Sequence, residues 1–297
     1  MMTTIDVNKV VGVQEENTSI LGYLCWFTIH EVKYKVDHIK SIMQDVGIPE
    51  SYHPKAINDV DAFKRATSSL EKEKLPTNDP NIYENILIRD VSNNKNAVVR
   101  KVVKETVDAN NRRLAYKETA DIILDKKTGR IEMISLGNES FDINIEKVYK
   151  EYKENYDGSH IRRIVRDILW SMNPIAVRPS GGVYFVPKMH KEMLEKLENF
   201  VEKINCEFFT IPLMDQAKSR DMLYEKYNEQ IDQSIKEIKE LIITEQNPQK
   251  LSKILSQTAN MMKEIEMYET MLNKDLEHLK EKVNIIKKQI NYILINS

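Results

Sequence analysis

The chain has 297 residues, enough for about two domains whose cores need neither disulfides nor metal ions for stability. Hydrophobic residues make up 41% and charged residues 30%, and a content of only 8 Gly and 9 Pro argues against disorder and predicts long, mostly helical elements. The 44 Lys and Arg residues and 46 Asp and Glu residues give a net charge of -2. This balance excludes a global basic field, so binding to nucleic acid or an anionic membrane would need a local patch.

The first residues and the two cysteines favour a cytoplasmic protein. Residues 1–19 are polar and weakly patterned, which predicts a tail or a strand that needs a partner. No basic stretch followed by an apolar core is found there. No apolar window approaches the roughly 18 residues that a membrane helix requires. Cys25 and Cys206 stand in apolar runs, where a buried thiol is expected rather than a disulfide or a nucleophile.

Residues 20–140 are predicted to form an α+β head with a mixed or antiparallel sheet. The continuous apolar run at 21–29 predicts a central strand. Apolar residues at three- and four-residue spacing predict a helix over 32–46 and a second helix that is capped by Asp59 or Asp61 and ends near Leu70. After residue 85 the period changes to two, and turn residues separate the runs, which predicts an antiparallel meander of about four strands.

Residues 141–213 are predicted to form a helix, hairpin, helix, strand unit packed on the head. A helix at 160–172 precedes two short extended runs around Ser180, Gly181 and Gly182, a typical hairpin signal. A helix at 188–204 then leads into a strand at 207–213. We expect this strand and the hairpin to join the 21–29 strand in one sheet. A helix followed by a hairpin also resembles the winged-helix arrangement, which contacts duplex DNA with both parts.

Residues 214–297 are predicted to form an antiparallel coiled-coil hairpin. Two long apolar stripes at three- and four-residue spacing are interrupted only at Asn247-Pro248, so the simplest fold has arms at 215–246 and 249–296. The longer arm must pack on the head or on another chain, and both possibilities stay open. Its predicted interaction seam consists of Ile265, Tyr268, Leu272, Leu279, Val283 and Ile286.

The sequence carries none of the usual catalytic signatures. Phosphate-binding loops, the dinucleotide glycine fingerprint, the nucleophile elbow, the His-Glu-x-x-His motif and paired zinc cysteines are all missing. We therefore expect no metal ion and no cofactor, and the lack of motifs favours a non-enzymatic protein over an enzyme. A hydrolase that uses His160, Asp157 and His190 remains an alternative, although no known sequence motif supports it.

One local charge anomaly lies at 158–191, where six basic residues stand against Asp167 alone. These residues are Arg162, Arg163, Arg166, Arg178, Lys188 and Lys191. The first three fall on the polar side of the 160–172 helix and should project together. They form a solvated face that pairs with acidic side chains, a nucleic-acid contact through phosphates, or a contact for an acidic protein.

Four stretches together resemble a known domain family. They are LGYLCWFTI at 21–29, DAFKRATS at 61–68, VRPSGGVYFVP at 177–187 and IPLMD at 211–215. The resemblance is to an uncharacterised family of about this length found in phage, plasmid and other mobile-element proteins, and it covers most of the head and the junction with the coil. It implies a fold and a mobile-element context but no catalytic residues. The motif residues mark either a shared surface or a shared core and turn: Phe63, Arg65, Arg178, Gly181, Gly182 and Tyr184.

Together these features predict a non-enzymatic mobile-element protein. We expect its coiled coil to mediate self-assembly or to bind and modulate a host or phage protein. The alternative is a DNA- or RNA-binding protein that uses the basic helix and hairpin at 160–178. In that case Arg162, Arg163, Arg166, Arg178 and Lys188 would contact phosphates.

Overall fold

The computed structural model describes residues 19–137, 144–178, 181–244 and 247–296. The predicted tail up to residue 18 and Ser180 of the predicted turn therefore lie outside the described residues. The α+β fold class is confirmed, with antiparallel sheets and carboxyl-terminal helices. Within the described ranges, no helix is long and apolar enough to cross a membrane.

The strands and helices follow one another along the whole chain. The strands are β1 (Ile20–Thr28), β2 (Lys33–Lys35), β3 (Lys72–Pro76), β4 (Ile82–Asn93), β5 (Ala97–Asp108), β6 (Arg113–Asp125), β7 (Ile131–Ser135), β8 (Asn155–Asp157), β9 (Ile175–Ala176), β10 (Tyr184–Pro187) and β11 (Glu207–Met214). The helices are α1 (Val36–Asp45), α2 (Asp59–Ser68), α3 (Ile145–Glu154), α4 (Gly158–Trp170), α5 (Lys191–Lys203), α6 (Ala217–Thr244), α7 (Pro248–Leu272) and α8 (Glu277–Asn296). Short 3-10 turns occupy Glu50–Tyr52 and Lys188–His190.

The chain divides into two compact units. The first, here called the sheet–bundle unit, comprises the described parts of Met1–His30, Val46–Ile48 and Arg162–Ser297. The second, the meander unit, comprises the described parts of Glu31–Asp45 and Pro49–Ile161. The predicted segments 20–140 and 141–213 therefore each contribute to both units, because strand pairing joins parts of the chain that are far apart in sequence.

The meander unit is built on a five-stranded antiparallel sheet in the order β3-β4-β5-β6-β7. The predicted meander is confirmed, and β3 is the strand that the period-two pattern missed. Phe63 of α2 is fully buried in the core that α2 and α3 form with this sheet. The cap of α2 is Asn58, whose side chain accepts a hydrogen bond from the Val60 amide at 2.8 Å, so the prediction of Asp59 or Asp61 was wrong.

The predicted helix at 32–46 is shorter than expected. Residues 33–35 form β2, which pairs antiparallel with β8, and α1 begins only at Val36. The apolar spacing of this segment continues through β2, so the pattern alone did not separate the strand from the helix.

The sheet–bundle unit is built on a four-stranded sheet in the order β11-β1-β10-β9. The expected sheet is confirmed: β1 lies between β11 and β10, and its neighbouring strands pair antiparallel. Cys25 of β1 and Cys206 are buried, free thiols, as expected. Burial raises the pKa of the Cys25 thiol to about 12, so it remains protonated at neutral pH.

The carboxyl-terminal part differs from the predicted two-helix hairpin. The second arm is not one helix but two, because α7 ends at Leu272, Asn273 adopts the left-handed conformation at φ 51°, and α8 begins at Glu277. The three helices α6, α7 and α8 pack on one another and share one apolar core with β1 and β10 through Leu21 and Phe185.

We predict that Gly22→Ala lowers the free energy of unfolding by about 3 kcal/mol. A Cβ at Gly22 would lie 2.1 Å from the Val186 carbonyl oxygen and 2.8 Å from Cζ of Phe185, so the central strand pair would have to separate. The matched control is Gly137→Ala, where nothing lies within 4 Å of the added Cβ. Urea denaturation of both variants measures the difference, and equal stabilities would contradict this account.

Candidate functional site

The basic residues predicted on one helix lie on α4. The opposite side of this helix is buried through Ile161, Ile164, Val165, Ile168 and Leu169. As a result, Arg162, Arg163 and Arg166 are all exposed on its polar side, as are Arg178 and Lys188 farther along the chain. The helix begins with a cap, since the Asp157 carboxylate accepts hydrogen bonds from the backbone amides of Ser159 and His160.

These basic side chains differ in whether they already have a hydrogen-bond or ion-pair partner within the protein. Arg162 donates from Nη2 to the carbonyl oxygen of Ile29 at 2.7 Å, and Lys191 forms an ion pair with Glu195. The pKa of Asp215 is lowered mainly by its hydrogen bond with Arg220, and the charge of Lys188 adds to this effect. Among the basic residues of 158–191, three arginines form no ion pair and donate no side-chain hydrogen bond within the described ranges. They are Arg163, Arg166 and Arg178.

The hairpin that carries Arg178 lies beside the end of α4. The ring of Trp170, the last residue of α4, meets the ring of Tyr184 edge to face at a centroid distance of 5.2 Å. Tyr184 is the first residue of β10 and pairs with Ala176 of β9. The turn between these strands has Gly181 and Gly182 at φ 75° and 93°, a conformation that favours glycine. The amide of Gly181 donates to the carbonyl oxygen of Arg178 at 2.9 Å.

The link between α4 and the hairpin is held by the helical bundle. The Tyr268 hydroxyl of α7 donates to the carbonyl oxygen of Asn173 at 2.5 Å. Gln230 of α6 accepts from the Ala176 amide at 2.9 Å and donates to the carbonyl oxygen of Pro174 at 3.1 Å. Two long helices therefore fix the direction in which the hairpin leaves α4.

The six residues of the predicted interaction seam are all buried in the sheet–bundle unit itself. Their exposed fractions are 0% or 1%, in the core that α7 and α8 form with α6. A partner cannot reach these side chains while the chain is folded. Other residues of the same chain therefore cover the apolar stripe of the seam. Tyr268 also holds the segment between α4 and the hairpin through its hydrogen bond to Asn173.

Large apolar side chains are instead exposed where α6 and α8 end. Two contacts between α6 and α8 show that these helices run in the same direction. His278 hydrogen-bonds to Asn228 and Lys282 forms an ion pair with Asp232, and the sequence separation is fifty residues in both pairs. Their last turns therefore lie at the same end of the bundle. The group of four exposed residues there is called the bundle tip. It consists of Leu241, Ile243, Tyr292 and Ile295, which are between 51% and 82% exposed.

The residues considered for acid–base chemistry form a structural network in the meander unit. His160 Nδ1 lies 2.9 Å from Oδ1 of Asp157, and Arg65 of α2 forms an ion pair with Oδ2 of the same carboxylate. The ring of Tyr156 stacks on His160 at 4.4 Å. Since Asp157 also caps α4, both of its oxygens already have partners. These contacts tie α2 to the first turn of α4.

His190, the third residue of that alternative, belongs to the sheet–bundle unit. Its Nε2 is buried without a hydrogen-bond partner among the described residues, and burial lowers the pKa of the imidazole. The part of the chain that the structure describes also contains no group of three or more His, Cys, Asp or Glu able to hold a metal ion.

A cleft of about 370 Å³ also lies in the meander unit, between β2, α3 and β8. Three of its charged lining residues form ion pairs: Lys33 pairs with Glu151, and Asp157 pairs with Arg65 of α2. Lys33 also lies over the ring of Tyr152. The paired charges make this cleft a poorer candidate site than the basic face of α4.

The chain belongs to a family of unknown function, DUF6744, whose model matches residues 20–297. The expectation of an uncharacterised family is therefore confirmed. No curated protein and no solved structure matches the chain. Of the motif residues, Phe63 lies in the core, Arg65 lies in the network around Asp157, and Gly181 and Gly182 form the turn.

Sequence reasoning missed the aromatic and anchoring residues of the basic face. The signal for Trp170 was present, because it follows Arg162 and Arg166 at a spacing of four on the same helix. No sequence signal marked Gln230 as an anchor, since its partners lie 54 and 56 residues away.

We predict that Glu264→Gln stabilises the protein above pH 7. Glu264 of α7 is largely buried and forms no ion pair within the described ranges, and burial raises its pKa to about 7. Its charge and, more strongly, burial raise the pKa of the neighbouring Tyr227 and Tyr268 hydroxyls. The folded chain therefore holds a proton that the unfolded chain loses from about pH 4.5 upward, so stability falls as the pH rises from about 4.5 to 7.

The free energy of unfolding, measured in urea between pH 4.5 and 8, tests this prediction. The wild-type protein should lose of the order of 2 kcal/mol relative to the Gln variant across that range. Parallel curves for the two proteins would show that Glu264 does not titrate in this window.

Proposed function

We propose that the protein binds nucleic acid through a basic face formed by α4 and the β9–β10 hairpin. The observation that carries the proposal is the set of three exposed arginines, Arg163, Arg166 and Arg178, that have no protein partner within the described ranges. Guanidinium groups bind phosphate oxygens with paired hydrogen bonds. Because the chain as a whole has a charge of -2, the attraction is local to this face.

The arrangement of the two elements supports phosphate contacts from two directions. Arg163 and Arg166 project from the helix, and Arg178 projects from the start of the hairpin turn. Tyr268 and Gln230 hold the link between these elements, so the backbone that carries the arginines needs little reordering on binding. Phosphate contacts carry no sequence information directly, so we expect binding that depends on salt more than on sequence.

The resemblance to mobile-element proteins gives this proposal a context. A phage- or plasmid-encoded protein that acts in the host cytoplasm would encounter DNA and RNA there. We propose binding and not catalysis as its activity, because the acid–base candidates Asp157 and His160 are engaged in a structural network.

We predict that Arg163→Ala with Arg166→Ala weakens nucleic-acid binding about tenfold or more and lowers the salt dependence. If each arginine neutralises one duplex phosphate, the slope of log K against log salt should fall by about 0.9 for each one removed. Fluorescence anisotropy with labelled oligonucleotides of mixed sequence, from about 50 to 200 mM salt, measures both quantities.

The control is a second double variant, Arg112→Ala with Arg130→Ala. These arginines are also exposed but lie in turns of the meander unit, and their removal changes the net charge by the same amount. If both double variants lose the same affinity for nucleic acid, the effect depends only on net charge, and α4 is not the binding site.

The second candidate function is binding of a protein at the bundle tip. Because the seam is buried, this tip is a group of exposed apolar side chains at one end of the described bundle. Lys253, Lys287 and Lys288 are exposed in the same terminal turns of α7 and α8, where no acidic residue stands at 248–258 or 285–295. Like charges disfavour tip-to-tip contact between two copies, so we propose an acidic host or phage protein as the partner.

We predict that Ile243→Gln with Ile295→Gln abolishes capture of an acidic partner from nuclease-treated host lysate. The control is Ile285→Gln, which changes an exposed isoleucine of α8 two turns before Tyr292. Mass spectrometry identifies the captured proteins, and sedimentation velocity measures self-association. A partner that binds both variants equally would exclude the tip, and a wild-type dimer that only the tip variant disrupts would replace the acidic partner with a second copy.

A further inference from the structure

Trp170 is an exposed aromatic residue within the basic face. It is one of only two tryptophans in the chain, and 49% of its surface is exposed. Its contact with Tyr184 is edge to face, with an interplanar angle of 69°, so this contact orients the ring without covering it. A large aromatic side chain that is held in place and still exposed is typical of a recognition surface.

The other tryptophan has an ordinary packing role. The ring of Trp26 stacks on Phe209 of the neighbouring strand β11 at 5.4 Å and an angle of 25°. The two residues are direct cross-strand partners in the sheet. Strand pairing explains the position of Trp26, whereas no such contact explains why Trp170 stands among unpaired arginines.

Trp170 has an arginine on its own helix and another in the neighbouring hairpin. Arg166 and Trp170 are four residues apart on α4, which places their Cβ atoms about 6 Å apart on the same side of the helix. Tyr184, whose ring meets Trp170, has its hydroxyl oxygen 3.6 Å from the position of a Cβ on Gly181, and the Gly181 amide donates to the carbonyl oxygen of Arg178. An aromatic ring with a cationic residue on each of the two elements suits a nucleotide chain, in which a base is flanked by two phosphates.

We propose that Trp170, supported by Tyr184, stacks on an unpaired base of a single-stranded nucleic acid whose adjacent phosphates bind Arg166 and Arg178. This inference rests on the proposed function and specifies its substrate class. A duplex cannot use the ring in this way, because its bases are already stacked and paired. Stacking on an aromatic platform tolerates any base, in agreement with a face that binds phosphates without sequence preference.

The platform is rigid enough for this role. Tyr184 is held by β10, which pairs with Ala176 on one side and Cys25 of β1 on the other. The loop after Trp170 is held by the hydrogen bond from Tyr268 to Asn173. A ring that is oriented before binding loses little conformational freedom when a base stacks on it.

The test uses the full-length chain with Trp26→Phe, in which Trp170 is the only tryptophan. A short single-stranded oligothymidylate and a duplex of the same phosphate content are titrated against its fluorescence. We expect saturating single strand to quench the emission and the duplex to leave it nearly unchanged. Undiminished emission at saturation with the single strand would overturn the proposal, and this readout does not depend on any change at Trp170.

Substitution of Trp170 provides the second measurement. Trp170→Ala should weaken binding of the single strand about tenfold or more, with an unchanged affinity for the duplex and an unchanged salt slope. Trp170→Phe keeps an aromatic ring and should retain most of the affinity, which separates stacking from a folding defect. Equal losses for single strand and duplex in the Ala variant would contradict the platform.

The outcomes also separate this inference from the proposed function. If the wild-type chain binds both nucleic acids and Trp170→Ala binds the single strand as well as the wild type does, the platform is refuted and the basic face stands. If the wild-type chain binds neither oligonucleotide, both proposals fail.

Discussion

The apolar core shared by the four-stranded sheet and the bundle of α6, α7 and α8 is the contact on which the rest of the sheet–bundle unit depends. Residues of β1 and β10, near the start and the middle of the chain, pack in it with residues of all three long helices. Each fully buried Leu, Ile or Phe side chain contributes about 2 kcal/mol. This core brings the bundle close enough for its polar side chains to reach the backbone between α4 and the hairpin.

Buried and half-buried polar groups set the positions of neighbouring elements in both units. In the meander unit, Arg100 of β5 is buried and donates to the carbonyl oxygen of Lys64 and to the hydroxyls of Thr67 and Ser68, which joins the sheet to the end of α2. In the sheet–bundle unit, Tyr268 and Gln230 do the same for the α4–hairpin link. An unmade hydrogen bond at such a buried position costs more than an exposed one, so these contacts restrict the geometry.

The two candidate surfaces of the sheet–bundle unit have different chemistry. The face of α4 and the hairpin has unpaired arginines and one exposed tryptophan, whereas the bundle tip has three aliphatic side chains and Tyr292, with exposed lysines in the neighbouring turns. A protein with both could hold a nucleic acid and a protein partner at the same time.

Local patterns in the sequence determined much of this fold. The sequence predicted four features correctly, because each depends on neighbours within a few residues. They are the apolar run of β1, the glycine pair of the hairpin, the polar side of α4 and the apolar stripes of the long helices. The sequence also predicted that β1, the hairpin and β11 share one sheet, but it did not predict the order β11-β1-β10-β9. The end of α7 was not readable, since Asn273 is an ordinary polar residue and Leu276 continues the stripe at the expected spacing.

Only the tertiary structure decided which surfaces are free. Periodicity places Tyr268 and Ile286 in a stripe, but whether that stripe faces a partner or α6 depends on residues far away in the sequence, such as Tyr227, whose ring packs on Tyr268. In the same way, sequence places Arg162, Arg163 and Arg166 on one side of α4, but only the folded chain shows that Ile29 engages the first of them and leaves the other two unpaired within the described ranges. Burial and pairing are properties of contacts between distant segments, and a local pattern carries no information about them.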